Sequence, residues 1–171
     1  AIRSGLGHVQ FADPRAFEGS EQTTLEFGVS AADKAVAALR ADPEVAVAMP
    51  RLEFYGLIGN GARSVPFAAI GVDPAAEAAG SEIPRGVREG QWLRPDSREV
   101  VLGRGLAKLL NAKVGDSVTL LATTPDGTLN AVDATVSGIA EIFIKELSER
   151  YLALPLLLAQ ELLTAPDMVS R

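Results

Sequence analysis

From Val100 to Ile139 the hydrophobic and polar positions lay out a run of elements one after another. Leu106, Leu109 and Leu110 fall at i, i+3 and i+4, the spacing of one apolar helical face. Lys108 lies near the end of that helix, where the dipole favours a cation. Asn111 is expected to close the helix in the left-handed conformation, with Val114 folding back on it. After the turn at Gly115-Asp116, Val118, Leu120 and Ala122 alternate with Ser117, Thr119 and Leu121, a strand pattern. Pro125-Asp126-Gly127 then predicts a hairpin loop in which Gly127 takes a positive φ. Val132, Ala134 and Val136 continue the alternation on the returning strand. None of these residues is an obvious catalyst; the stretch reads as scaffold.

Upstream, residues 1–19 predict a short strand around Val9 and Phe11 and then a loop. Residues 23–29 alternate as a strand, and Ser30 with Asp33 forms a capping-box pattern for a helix whose inner stripe is Ala32, Val36 and Leu39. Asp42-Pro43 ends that helix, and Val45, Val47 and Met49 begin a returning strand, giving a right-handed β-α-β unit. Residues 51–58 and 63–72 flank Gly59-Asn60-Gly61 as a hairpin, with Pro66 marking an edge or a bulge. Asp73-Pro74 caps a short Ala-rich helix through Ala79, and residues 80–90 carry no period. Trp92 is expected to be buried between two lobes. Beyond the central stretch, residues 140–144 read as a strand, and Lys145, Glu146, Glu149 and Arg150 as a solvated turn. Residues 151–154 read as a strand, and Pro155 opens a helix to Leu163 that Ala165-Pro166 stops.

Composition narrows the chemistry. A chain of 171 residues holds one substantial core or two small lobes, and 47% hydrophobic content excludes a disordered chain. A net charge of −6 argues against binding to a phosphate backbone or by a polybasic face to a membrane. With no cysteine, thiolate zinc, disulfides and cysteine nucleophiles are excluded. No apolar run reaches the roughly 18–20 residues that span a bilayer. Gly115-Asp116-Ser117-Val118 superficially matches an esterase serine block, but the only histidine is His8, whose simplest role is that of a strand residue. Gly103-Arg104-Gly105 lacks the third glycine of a dinucleotide fingerprint, and no phosphate-binding GxxxxGK[ST] occurs. The carboxylate pairs Glu141 with Glu146 and Asp126 with Asp133 are explained more simply by turn and surface roles. No catalytic, cofactor-binding or metal-binding residue is assigned, and the chain is not expected to be an enzyme.

One ordered series goes further. It comprises Val101-Leu102-Gly103, Gly105-Leu106-Ala107, Lys113 through Leu120, Thr123-Thr124-Pro125-Asp126-Gly127 and Val136-Ser137-Gly138-Ile139. It continues with Ile144 through Tyr151 and Leu154-Pro155-Leu156. This series resembles the extracytoplasmic, MacB-like periplasmic core domain of ABC-transporter permeases, most closely the LolC/LolE-like and FtsX-like branch. The resemblance implies an α+β fold with two lobes. A β-α-β-β porter-type lobe would come from residues 1–80, an inserted, mainly antiparallel β lobe from residues 81–150, and a return strand and helix from residues 151–171. It implies an inner-membrane protein with this region periplasmic, flanked by membrane helices before Ala1 and beyond Arg171. The expected function is to couple cytoplasmic ATP hydrolysis to extracytoplasmic movement, for lipoprotein release or substrate export. The alternative is an interaction module that docks and regulates a periplasmic partner such as a cell-wall hydrolase. Implied partners are a cytoplasmic ABC ATPase subunit, a second permease subunit as homo- or heterodimer, and a periplasmic accessory protein or lipoprotein. No cofactor and no nucleic acid are implied. If further family material closes the first lobe, this chain alone is expected to self-associate through uncovered edges there.

Overall fold

In the computed structural model the described residues are 32–170. The expected strand at residues 23–29, His8 and the Ser30 cap lie outside them. The first described element is helix α1, Ala32–Ala41, which stops just before Asp42-Pro43, as that pair predicts. Four strands and one short helix follow: β1 (Arg51–Gly59), β2 (Ser64–Val72), α2 (Pro74–Gly80), β3 (Val87–Gly90) and β4 (Glu99–Gly103). A single 3-10 turn, Ile83–Gly86, precedes β3. Next come α3 (Arg104–Leu110), β5 (Ser117–Thr123), β6 (Leu129–Ala140), α4 (Lys145–Ser148), β7 (Tyr151–Pro155) and α5 (Leu156–Leu163).

The sheet returns on itself. Its order is β3-β6-β4-β7-β2-β1-β5, and β5 also pairs with β6. This is possible because β6 is 12 residues long. Its first part, Leu129 to Thr135, pairs with β5, and its last part, Thr135 to Ala140, pairs with β4 on the opposite edge. Six strands therefore close into a barrel, and β3 adds a short flap to the end of β6. Closure uses up strand edges that would otherwise offer unpaired N–H and C=O groups. β1 is bonded to β2 along its whole length and to β5 through Gly56–Gly59.

Alternation along each strand fills the interior. Leu52, Phe54 and Ile58 of β1, Phe67 of β2, Leu102 of β4, Leu120 of β5 and Leu152 of β7 are at most 2% exposed. The rings of Phe54 and Phe67 meet edge to face at 5.7 Å. Leu106 and Leu110 of α3 join this core from one end, and Leu158, Leu162 and Leu163 of α5 complete it. A second, smaller core lies on the outer face of β2, β4 and β7. There Val72, Val101, Tyr151 and Ala153 are covered by Leu93, Ile83, Val87 and Trp92. Trp92 is half-buried, and its indole N–H donates to the Pro74 carbonyl at 3.2 Å. Arg51 and Glu77 are buried beside this layer as a two-point ion pair, at 2.7 and 3.2 Å. Burial, helped by the Glu77 charge, pushes the Tyr151 phenol above its ordinary range.

Many local expectations hold. The hairpin at Asn60 forms, and Asn111 is left-handed at φ 56°. Gly127 has φ 85°. Pro66 sits where β7 does not reach, since β7 pairs only with Ala68 to Val72, so its missing N–H interrupts no ladder. Three expectations change. Residues 45–49 form no strand. The turn after α1 is fixed by the Glu44 N–H on the Asp42 carboxylate. It is Ala112, with its N–H on the Ala107 carbonyl, that folds back on α3, while Val114 is 41% exposed. Residues 141–144, expected as a separate strand, are a loop. β6 runs on through Gly138 and stops at Ala140, where its neighbours Val87 of β3 and Gly103 of β4 also end.

Candidate functional site

The barrel has two unlike poles. β1 starts at Arg51 opposite the end of β2 at Val72, and β7 ends beside them at Pro155. The Ser170 N–H donates to the Arg51 carbonyl at 2.8 Å, so the chain enters and leaves the barrel at this same pole. A shallow cleft of about 260 Å³ opens there, where the parallel strands β2 and β7 turn into α2 and α5. Four prolines, Pro50, Pro74, Pro95 and Pro155, line it with Leu156 and Leu157. Arg40 of α1 bridges the cleft rim to Asp73 at 2.9 Å, and Asp73 also caps α2 by accepting from the Ala75 and Ala76 N–H groups. Asp96 and Gln160 add further polar groups to the lining.

The far pole carries the β1–β2 turn, α3 and the segment from Glu141 to Arg150. Asn60 and Arg63 of the turn donate to the Leu110 and Leu109 carbonyls, tying the turn to α3. Phe143 projects from this pole with 96% of its surface exposed, and Ile144 and Leu147 follow at 61% and 44%. Folded chains rarely leave three large apolar side chains clustered in water without a partner for them.

The base beneath them is firmly built. Ser148 is buried, its N–H donates to the Ile144 carbonyl, and its hydroxyl oxygen accepts the Gly105 N–H at 3.0 Å. A Cβ at Gly103 would lie 2.4 Å from the Ser148 carbonyl oxygen, so glycine is what allows α4 to pack this close to the start of α3. On the other stem, Arg104 holds Glu141 at 2.6 Å and Glu89 at 2.8 Å. The Glu141 hydrogen bond first, then that from Glu89, raises the affinity of the Arg104 guanidinium for its proton. Lys145 lies 3.7 Å from Glu149, one helical turn away.

The carboxylates considered as pairs do not come together. Glu141 is taken by Arg104, and Glu146 faces solvent separately. Asp133 accepts from the Thr119 hydroxyl, while Asp126 is held in its own turn by Thr124. The Thr124 hydrogen bond sets the Asp126 carboxyl below its ordinary range. Ser117 is the exposed first residue of β5. Among the described residues no group of His, Asp or Glu side chains is arranged to hold a metal ion. The Phe143 tip is hidden from a reading of the sequence because residues 140–144 pass for a strand. Its signal is three consecutive large apolar residues, Ile142-Phe143-Ile144, which break alternation and sit next to a charged run.

Comparison with known proteins places this architecture. The sequence profile of the MacB-like periplasmic core domain matches residues 2–169. The lipoprotein-releasing system transmembrane protein LolE of Haemophilus influenzae is 32% identical over 138 residues, which is 77% of this chain and 33% of that protein. The lipoprotein-releasing system transmembrane protein LolC of Xylella fastidiosa (strain Temecula1) is 36% identical over 120 residues, 66% of this chain and 29% of that protein. The chain thus spans about a third of the length of these curated relatives. Among solved structures, the extracellular domain of the noncanonic ABC-type transporter YknZ from Gram-positive bacteria superposes with a TM-score of 0.65 at 12% identity, covering 94% of this chain and 78% of that one. The periplasmic region of MacB from Actinobacillus actinomycetemcomitans superposes at 0.60 with 14% identity, covering 80% of this chain and 60% of that one. These two likenesses establish a shared α+β fold. By its sequence, the chain belongs to the MacB-like periplasmic core domain family of ABC-transporter permeases.

Proposed function

We propose that this chain is the extracytoplasmic part of a permease subunit and relays movement driven by cytoplasmic ATP hydrolysis to the far side of the membrane, for lipoprotein release or substrate export. The observation that carries this is the profile match over residues 2–169 together with the LolE and LolC relatives. The physical form suits such a relay, because a closed, side-chain-filled barrel whose chain enters and leaves at one pole moves as a unit when that pole is moved. Among the described residues no helix is long and apolar enough to cross a membrane, so the driving motion has to reach the barrel through other parts of a longer protein. The ATPase subunit and a second permease subunit belong to this proposal. The second reading, a docking module for a periplasmic partner, is favoured by one feature, the exposed Phe143 tip.

The test is to replace residues 51–170 of the full-length permease by a short flexible linker and reconstitute it with its ATPase in vesicles. ATP hydrolysis should persist while ATP-dependent release of a membrane-held lipoprotein, or export of the cargo, is lost. Release that continues at an unchanged rate without the barrel would overturn the proposal.

A further inference from the structure

We propose that Asn60, in the turn between β1 and β2, is a deamidation site that its contact with α3 keeps unreacted, and that its conversion unfastens this turn from α3.

The chain has three asparagines, Asn60, Asn111 and Asn130, and only Asn60 is followed by glycine. In the reaction the Gly61 backbone nitrogen, having given its proton to hydroxide, attacks the Asn60 carboxamide carbon. A new C–N bond closes a succinimide ring, the bond to Nδ2 breaks, and ammonia leaves with a proton taken from water. Water then opens the ring at either carbonyl, giving aspartate or isoaspartate. No oxidant or reductant is involved. Glycine lets its nitrogen approach because no side chain stands in the way. A Cβ at Gly61 would meet nothing within 4 Å, so hydroxide and water reach this amide from open space.

Orientation holds the reaction back. The Asn60 carboxamide is pinned at both ends: Nδ2 donates to the Leu110 carbonyl at 2.9 Å, and Oδ1 accepts the Ala62 and Arg63 N–H groups at 3.1 and 2.9 Å. Bonds to a carbonyl oxygen lie close to the plane of that carbonyl. The loop from Gly61 to Arg63 therefore meets the carboxamide at its edge, not over the face where attack takes place. Ring closure has to wait until the side chain turns and these three bonds open together.

The same bonds fix the consequence. α3 ends at Leu110, and the last carbonyls of a helix have no partner within it. Asn60 satisfies the Leu110 carbonyl, and Arg63 satisfies that of Leu109 at 3.2 Å. Aspartate at this position has no N–H to donate and sets a charged oxygen against the Leu110 carbonyl, leaving that acceptor unpaired. Isoaspartate also lengthens the backbone by one carbon, inside a turn closed by the Asn60 N–H on the Arg63 carbonyl and the Gly59–Ser64 pair. Loss of ammonia makes the release one-way.

The experiment uses the full 171-residue chain, held in mildly alkaline buffer either folded or unfolded in guanidinium chloride. Conversion at each asparagine is followed by peptide mapping by mass, and isoaspartate by enzymatic methylation. Conversion should be confined to Asn60 and at least about tenfold slower in the folded chain. Folded Arg63→Ala, which lacks the second tie to α3, should convert several-fold faster, while Gly127→Ala, which strains the separate turn between β5 and β6, should not. Asn60→Asp should lower the urea midpoint. Equal rates in the folded and unfolded chain would overturn the proposal, as would conversion of Asn111 or Asn130 as fast as Asn60. So would an unchanged rate in Arg63→Ala, an equal acceleration in Gly127→Ala, or an unchanged midpoint in Asn60→Asp. The comparison of folded with unfolded chain needs no substitution and decides the matter where a variant does not fold.

Discussion

Phe67→Ala tests whether the barrel interior is the solid core on which a relay depends. Phe67 is 2% exposed and its ring meets that of Phe54 edge to face at 5.7 Å, both inside the barrel wall. Truncation removes the transfer free energy of a buried ring and leaves a cavity that surrounding strands, bonded on both edges, relax into only partly. The expected cost is about 3–5 kcal/mol. Phe54→Ala should cost a similar amount, and the edge-to-face contact should appear as a coupling of about 0.5–1.5 kcal/mol in the double-mutant cycle. Urea unfolding followed by the fluorescence of Trp92, the only tryptophan, gives these values directly. A cost below about 1 kcal/mol for either single variant, or strictly additive effects, would refute a packed interior joining β1 to β2.

Three further outcomes follow from local geometry. Gly127→Ala should lose about 1–2 kcal/mol through backbone strain alone, because Gly127 has φ 85° and a Cβ there would meet nothing within 4 Å; an unchanged urea midpoint would contradict this. Glu99 is held below its ordinary carboxyl range, chiefly by the hydrogen bond from Arg94, so the folded state binds its proton less readily than the unfolded state. Its contribution is complete above about pH 5 and fades as pH falls through the carboxylate range, so Glu99→Gln should lower stability by a constant amount above that pH and flatten the acid side of the profile. Phe143→Ser should change stability by no more than about 0.5 kcal/mol, since the ring is 96% exposed; a large loss would mean that the ring is needed for folding.

What the sequence showed and what it hid divide along physical lines. The β1–β2 hairpin, the left-handed Asn111 and the turn at Gly127 were legible because each depends on backbone preferences of adjacent residues. Closure of the barrel was not. It depends on β6 bonding β5 with its first half and β4 with its second, and on parallel pairing of β2 with β7, which lie far apart along the chain. Alternation records which face a residue points to, never which strand lies beside it. Val45, Val47 and Met49 alternate as a strand should, yet residues 45–49 form none, because alternation alone does not supply a neighbouring strand. The ion pair of Arg51 with Glu77 is likewise a product of topology. The family was legible through an ordered series of short motifs, while the Phe143 tip was masked by its resemblance to a strand end.

The central claim, that the barrel moves as a rigid relay under cytoplasmic ATP, is tested most directly by distances between spin labels in the full-length permease with its ATPase. This region has no native cysteine, so labels go only where cysteines are introduced within it, at the exposed Ser64 and Thr128. The account predicts that the Ser64-to-Thr128 distance within one barrel stays constant, while the distance between Ser64 labels on the two permease subunits shifts between the nucleotide-free and ATP-bound states. An inter-subunit distance that is identical in both states would contradict it.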